Sequence, residues 1–232
     1  DAGSAAVTGF LLALTLPAGT PWYVPVLGSV FAICIAKQVF GGLGDNFVNP
    51  ALAGRAFLLA SFPAAMTTYP LVADAVTSAT PLSSEFAGSV DYLQAFIGRI
   101  GGCIGEVSTL ALLIGAAYLL IRRVIDWRIP LSYLGTMALL TVIGGGNVLD
   151  SVLLGGTVLG AFFMATDYVT SPVTSWGRVI YGVGIGIINY TIRRWGAYPE
   201  GTTYAILLMN IAAPLIERFT RPRKYGEVKR HA

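Results

Sequence analysis

WYVPVLGSVFAICIAKQVF, from Trp22 to Phe40, is an apolar run interrupted by a single charge, Lys37. A helix that crosses a bilayer needs roughly 20 mostly apolar residues, and this run supplies them. Runs of the same kind recur along the chain, giving candidate spans at 5–18, 22–40, 50–69, 95–121, 131–147, 151–167, 177–193 and 202–218. The first is the shortest. The 95–121 run is the longest, and Gly98, Gly101 and Gly102 are points where it can tilt or bend. The pattern predicts an all-α, polytopic membrane helix bundle of about eight spans or half-spans, in one transmembrane domain over 1–232.

Composition agrees. Of the 232 residues, 55% are hydrophobic and only 12% are charged, with a mean hydropathy of +0.69. A soluble surface usually draws on about 25% charged residues; a surface facing lipid does not need them. The net charge of +3 is modest and its basic residues gather in short loops and the C-terminal tail, a membrane pattern and not a nucleic-acid one. Cys34 and Cys103 sit in apolar runs without partners at metal-binding spacing and read as small packing residues. No metal site is expected, since His231 alone cannot organise one. The chain opens almost in mid-pattern, without the basic region of a signal peptide. A preceding N-terminal portion is therefore expected.

Lys and Arg in short loops set orientation. Arg122, Arg123 and Arg128 mark one cytoplasmic loop; Arg221, Arg223, Lys224, Lys229 and Arg230 mark a cytoplasmic C-terminus. Threading eight spans from these anchors puts the 41–50 and 168–177 loops inside, and the 70–94 and 194–201 loops outside. Arg99, Arg193 and Arg194 run against this assignment.

The outer 70–94 loop contains Asp74-Ala75-Val76-Thr77-Ser78-Ala79-Thr80-Pro81-Leu82. It is small and polar, and Pro81 biases Thr80 away from helix. Read by physics alone, it is a loop presenting an accessible hydroxyl, and an ordinary turn-forming surface loop fits as well. Asp74, Thr77, Ser78, Ala79 and Thr80 also resemble the recognition pattern of flavin transferases, with Ser78 where Gly is usual. The resemblance implies a phosphodiester from the Thr80 hydroxyl to flavin mononucleotide (FMN).

A second stretch, Ala36 to Phe57 (AKQVFGGLGDNFVNPALAGRAF), is similar to the signature of the flavin-bearing membrane subunits of Rnf and Na+-pumping NADH:quinone reductase complexes. The segments Ala161–Tyr168 with Ser171-Pro172, and Pro214–Arg218 with Thr220–Arg223, resemble the same family. The ending and the Asp74–Thr77 form look like its Rnf D-type members. The resemblance implies an electron-transfer subunit of a ferredoxin:NAD oxidoreductase coupled to Na+ or H+ translocation, in the inner (cytoplasmic) membrane. It also implies flavin and iron–sulfur subunits as partners, a flavin transferase for maturation, and covalent FMN on Thr80. Alternatives are a B-type quinone reductase subunit, or a solute transporter or channel without a redox cofactor, which the glycines and broken helices also suit.

Gly41-Gly42-Leu43-Gly44 lacks the Lys-Ser/Thr and the strand context of a nucleotide loop. Two readings stay open: a cavity-lining turn in which Asn46 and Asn49 satisfy freed backbone groups, or amides that help bind a second, noncovalent flavin, as riboflavin is bound in related subunits. Acids at membrane depth are costly. Glu106, inside the 95–121 run, and Asp150, at a boundary, are candidates for an ion path; for Glu106 the alternative is a carboxyl held by a neighbouring helix. Arg55 and Asp167, near span ends, are expected at the interface.

Overall fold

The computed structural model describes residues 2–70, 77–78, 92–98, 101–196 and 201–222. It is helical apart from one short ladder. The elements are α1 (Ala2–Leu14), α2 (Tyr23–Val30), α3 (Pro50–Ser61), α4 (Pro63–Thr67), β1 (Tyr69–Pro70), β2 (Thr77–Ser78), α5 (Tyr92–Ile97), α6 (Thr109–Ile121), α7 (Arg128–Ile143), α8 (Val148–Leu153), α9 (Thr157–Leu159), α10 (Ser175–Trp195) and α11 (Thr202–Thr220). By length and composition, one helical run among the described residues, Tyr23–Phe40 with mean hydropathy 1.7, suffices to cross a membrane. Gly3–Leu14, Thr109–Ile121 and Arg128–Ile143 are shorter apolar helices.

Several expected spans are broken, each for a local reason. The 95–121 run is not one helix: α5 ends at Gly98, which takes φ +110, and α6 restarts at the Ser108 cap. A Cβ at Gly98 would lie 2.9 Å from Cβ of Ser108, so the break also needs the missing side chain. Residues 103–105 instead lie along the end of α1, with Ile104 N–H donating to Leu16 O (3.0 Å) and Gly105 N–H to Leu14 O (2.7 Å). The 151–167 run breaks at Gly155 and Gly156, at φ +70 and +66. The 50–69 run breaks at Phe62-Pro63, since Pro63 cannot continue the ladder of α3.

Two hairpins share one design. After α2, a π turn over Phe31–Ile35 closes when Ala36 N–H donates to Phe31 O (3.1 Å); after α9, a π turn over Gly160–Met164 closes when Ala165 N–H donates to Gly160 O (2.8 Å). The closing alanines have matching backbones, φ −74 with ψ −19 and −18. A loop follows each, then a capped helix: α3 from Asn49 and α10 from Thr174. Such π turns concentrate at functional sites.

The core has two parts. Ile129, Tyr133 and Met137 of α7 pack with Tyr181 and Ile185 of α10 and with Ile206, Met209 and Ala213 of α11. Leu12, Val24, Ala51, Leu58 and Met66 form the other part, around α1–α4. Glycines bring the helices together: Gly182 and Gly186 face Ser132 and Thr136 of α7, while Gly184 faces Met209 of α11. Large apolar side chains point outward on many helices, among them Phe10, Ile114, Leu139 and Leu215, the surface expected where lipid or partner subunits are the surroundings. Cys103 is buried as expected, but Cys34 is exposed on the outer face of its turn and packs no core.

Charges at the helix ends are tied down. Arg193 donates to Ser151 O (2.9 Å), Leu154 O (3.0 Å), Gly155 O (2.9 Å) and Thr157 Oγ1 (2.6 Å), which satisfies the carbonyls freed where α8 ends. This arginine, at odds with the inferred orientation, is engaged within the fold. Asp126 binds Arg128 (3.0 Å) and Arg178 (2.5 Å), joining the 122–127 loop to α10. Burial opposes its charge, but the Arg128 N–H and the Arg178 guanidinium outweigh that and hold the carboxyl below its ordinary range. With the folded pKa lowered, the stabilisation is present above the ordinary carboxylate pKa and is lost as pH falls through the lowered value. Asp126→Asn should cost about 1.5–3 kcal/mol at neutral pH and flatten the acid limb of the Tm–pH curve of the detergent-purified protein. An unchanged curve would contradict the clamp.

Candidate functional site

Asp74, Ala79 and Thr80 of the flavinylation pattern lie outside the described residues. Thr77 and Ser78 form β2, which pairs antiparallel with β1, Tyr69 opposite Ser78 and Pro70 opposite Thr77. The middle of the pattern is thus extended backbone held to the end of α4 through the buried Tyr69.

The loops of the two hairpins meet at a cavity of about 430 Å³. Lys37, Asn46 and Asn49 line it from the first hairpin, Phe162, Phe163 and Asp167 from the second, and Ser4, Thr8 and Leu11 from α1. A ligand pocket typically has about 300–1,000 Å³, mostly apolar walls and a few convergent polar groups, and this one conforms. The glycines ahead of it serve the turn: Gly41, Gly42 and Gly44 have φ +117, +94 and +99, and a Cβ on Gly41 would lie 2.8 Å from Oδ2 of Asp45. That agrees with a cavity-lining turn rather than a phosphate cradle.

Asn46 and Asn49 are both buried, and they differ in what remains free. Asn46 Nδ2 donates to Val48 O (3.1 Å), leaving its amide oxygen available. Asn49 Oδ1 caps α3, accepting from Ala51 N–H (3.0 Å) and Leu52 N–H (3.3 Å), and its Nδ2 donates across to Met164 O (3.2 Å), where the second π turn ends. Behind it Asn210 accepts from Asn49 N–H (2.9 Å), and donates to Ile206 O (3.2 Å) and Tyr181 Oη (2.5 Å). Asn49 therefore braces the two hairpins and keeps one amide hydrogen for a ligand. Asn49→Ala should cost about 2–4 kcal/mol, through the lost cap and the unpaired Met164 carbonyl. Asn49→Ser, which keeps the cap, should lose less. Thermal unfolding in detergent orders the two; equal losses would remove the brace.

Glu106 lies ahead of α6 in the turn at 101–107, not within a helix. Its Oε1 accepts Cys103 N–H (2.9 Å), which ties the carboxyl to the backbone of its own turn. It lines a space of about 20 Å³ with Thr15, Arg55, Gly156, Thr202 and Thr203. That is room for about one water. Arg55, expected at the interface, is 3% exposed and donates to Cys103 Sγ (3.4 Å). Asp150 sits in the first turn of α8 after the Asn147 cap, with Oδ1 buried and unpartnered among the described residues. Asp150 lines neither that small space nor the hairpin cavity.

Sequence reasoning missed Asn210 and the cavity role of Lys37. A lysine inside an apolar run was the available signal.

Residues 1–226 match the NQR2, RnfD, RnfE family. The chain belongs to this family. It is 55% identical over 97% of its length to the D subunit of the Na(+)-translocating ferredoxin:NAD(+) oxidoreductase complex of Acetobacterium woodii, covering 74% of that protein. It is 44% identical, over 97% of its length and 75% of the relative, to the D subunit of the proton-translocating ferredoxin:NAD(+) oxidoreductase complex of Clostridium ljungdahlii. The D subunit of an ion-translocating oxidoreductase complex from Stutzerimonas stutzeri is 40% identical, over 97% of this chain and 76% of the relative. Family and helical fold together make the chain a membrane-embedded subunit.

Proposed function

We propose that this chain is the D-type subunit of an ion-translocating ferredoxin:NAD oxidoreductase, a membrane redox subunit that relays electrons while Na+ or H+ crosses. The observation that carries this reading is the 55% identity, over 97% of the chain, to the D subunit of such a complex. The relatives' names favour it over the B-type quinone reductase subunit. Thr80 would hold FMN through a phosphodiester, with Asp74, Thr77, Ser78 and Ala79 presenting its hydroxyl to a flavin transferase. The extended pairing of Thr77 and Ser78 supports this, because a tethered loop offers a hydroxyl better than a helix does. When bound, flavin supplies one- and two-electron chemistry.

The hairpin cavity suits a second, noncovalent flavin such as riboflavin. Phe162 and Phe163 offer aromatic walls, and Asn46, Asn49 and Lys37 offer polar atoms. In this reading Asn46 orients the ring through its available amide oxygen, and Asn49 holds the two walls at a fixed spacing. About eight spans or half-spans cross the inner membrane, with the 70–94 loop outside and the C-terminus cytoplasmic, beside the other flavin and iron–sulfur subunits. Glu106 and Asp150 are separate candidates for contact with the moving ion.

Membranes lacking this chain should lose ferredoxin-dependent NAD+ reduction together with ion uptake into inverted vesicles, and adding the gene back should restore both. Unchanged activity would refute the assignment, and a purified protein without flavin absorbance would favour a transporter. A cysteine placed in 83–94 should react with an impermeant label from outside intact cells; labelling only from inside would reverse the orientation.

A further inference from the structure

Lys37 is 5% exposed and lines the hairpin cavity. Lysine is almost never buried this fully without a partner of opposite charge. Among the described residues its ammonium makes one hydrogen bond, to the neutral Ser4 Oγ. Asp167 lines the same cavity and attracts the ammonium at longer range, without pairing with it directly. The Asp167 carboxylate is occupied by its own turn, accepting from Val169 N–H (3.4 Å) and Thr170 Oγ1 (3.1 Å). A buried cation so weakly compensated calls for an acceptor from a ligand. One ammonium with a carboxylate in the same cavity disfavours a dianionic phosphate. It suits a planar ring with a carbonyl- and nitrogen-bearing edge, flanked by Phe162 and Phe163.

We infer that Lys37 holds the acceptor edge of the ring in this cavity and sets how readily that ring is reduced. The inference rests on the reading of the cavity as a noncovalent flavin site. Uptake of two electrons and one proton by a neutral flavin leaves one negative charge on its pyrimidine edge. The electrons come from a low-potential iron–sulfur donor, and the proton comes from water. Lys37 supplies the counter-charge, in a bond that strengthens in the reduced state. Asn46 and Asn49 would orient the ring without favouring either redox state so strongly.

The test uses the complex purified with wild-type chain, Lys37→Met, Lys37→Gln or Lys37→Arg. Riboflavin released by acid is separated chromatographically from FMN and counted per complex, and its midpoint potential is measured by spectroelectrochemistry. Wild type and Lys37→Arg should hold riboflavin at similar potential. Lys37→Met should hold it with the reduced form disfavoured by about tenfold to hundredfold, a fall of about 30–60 mV for a two-electron couple; Lys37→Gln should fall between. Loss of riboflavin from Lys37→Met in an assembled complex that keeps its covalent flavin would equally support Lys37 as a ligand. Full riboflavin at unchanged potential in both Lys37→Met and Lys37→Gln overturns the role of Lys37 while leaving the flavin site standing. Absence of riboflavin from the wild-type complex overturns the flavin site itself, and the inference with it.

Discussion

Thr80→Ala is expected to remove the covalent flavin completely and to bring ferredoxin-dependent NAD+ reduction by the assembled complex down to background. The physical reason is simple. A phosphodiester needs a side-chain oxygen, and alanine has none. Thr77 and Ser78 do carry hydroxyls, but their backbones are paired with Tyr69 and Pro70, which ties them to the fold at a fixed register. Replacing one small polar residue by alanine in a segment of small and polar residues should leave the protein folded and the complex assembled. Thr80→Ser, which keeps the hydroxyl, should keep the flavin. In-gel fluorescence after denaturation reads the tether, and fluorescence that persists in Thr80→Ala would move the attachment elsewhere.

Gly182→Val is expected to be as damaging to the fold as Thr80→Ala is to the chemistry. In lipid, helices gain little from hydrophobic attraction and depend on close backbone packing through small residues. A Cβ at Gly182 would overlap Ser132 Oγ and come within 2.8 Å of the Ile129 carbonyl. One turn on, a Cβ at Gly186 would lie 2.7 Å from Cβ of Thr136 and 3.0 Å from the Tyr133 carbonyl. Both contacts involve α7 backbone, which cannot rotate away as a side-chain tip can. Forcing α7 and α10 apart should cost about 3 kcal/mol or more, a large share of the roughly 5–15 kcal/mol that holds a domain folded. It would also disturb the Tyr133–Asn189 hydrogen bond (2.6 Å) between the same helices. Gly135, on α7 but with nothing within 4 Å of an added Cβ, is the control: Gly135→Ala should leave the fold intact and raise stability by about 0.5–1 kcal/mol. Yield of monodisperse protein and unfolding temperature in detergent compare the two. A stable Gly182→Val protein would contradict the packing.

Hydropathy located the helices, and Gly98 stood out as a bend, but the other breaks did not, because a glycine inside an apolar run reads equally well as packing or as a stop. Gly182 and Gly186 pack; Gly98 and Gly155 stop. The difference is set by neighbours distant in sequence, such as Ser108 against Gly98. The two π turns were illegible for a related reason. One extra residue in a turn leaves no mark in composition, and only the matched backbones at Ala36 and Ala165 reveal it. The site was legible in part. Asn46 and Asn49 stood out as amides beside a glycine turn, and both line the cavity. That Asn49 is chiefly a cap and a brace depends on Met164 and Asn210, which no local pattern connects to it. Lys37 looked like a lone charge in an apolar run, and is a buried ammonium lining a cavity. Glu106 looked like an acid within one long helix, and sits in a turn ahead of α6 with Cys103 N–H bound to it.

The measurement that tests the central claim most directly is mass spectrometry of the proteolytic peptide spanning Thr80 from the native membrane protein. The expected result is a peptide carrying one phosphoryl-linked flavin, with fragmentation placing it on Thr80. A peptide recovered only in unmodified form from an active complex would contradict it.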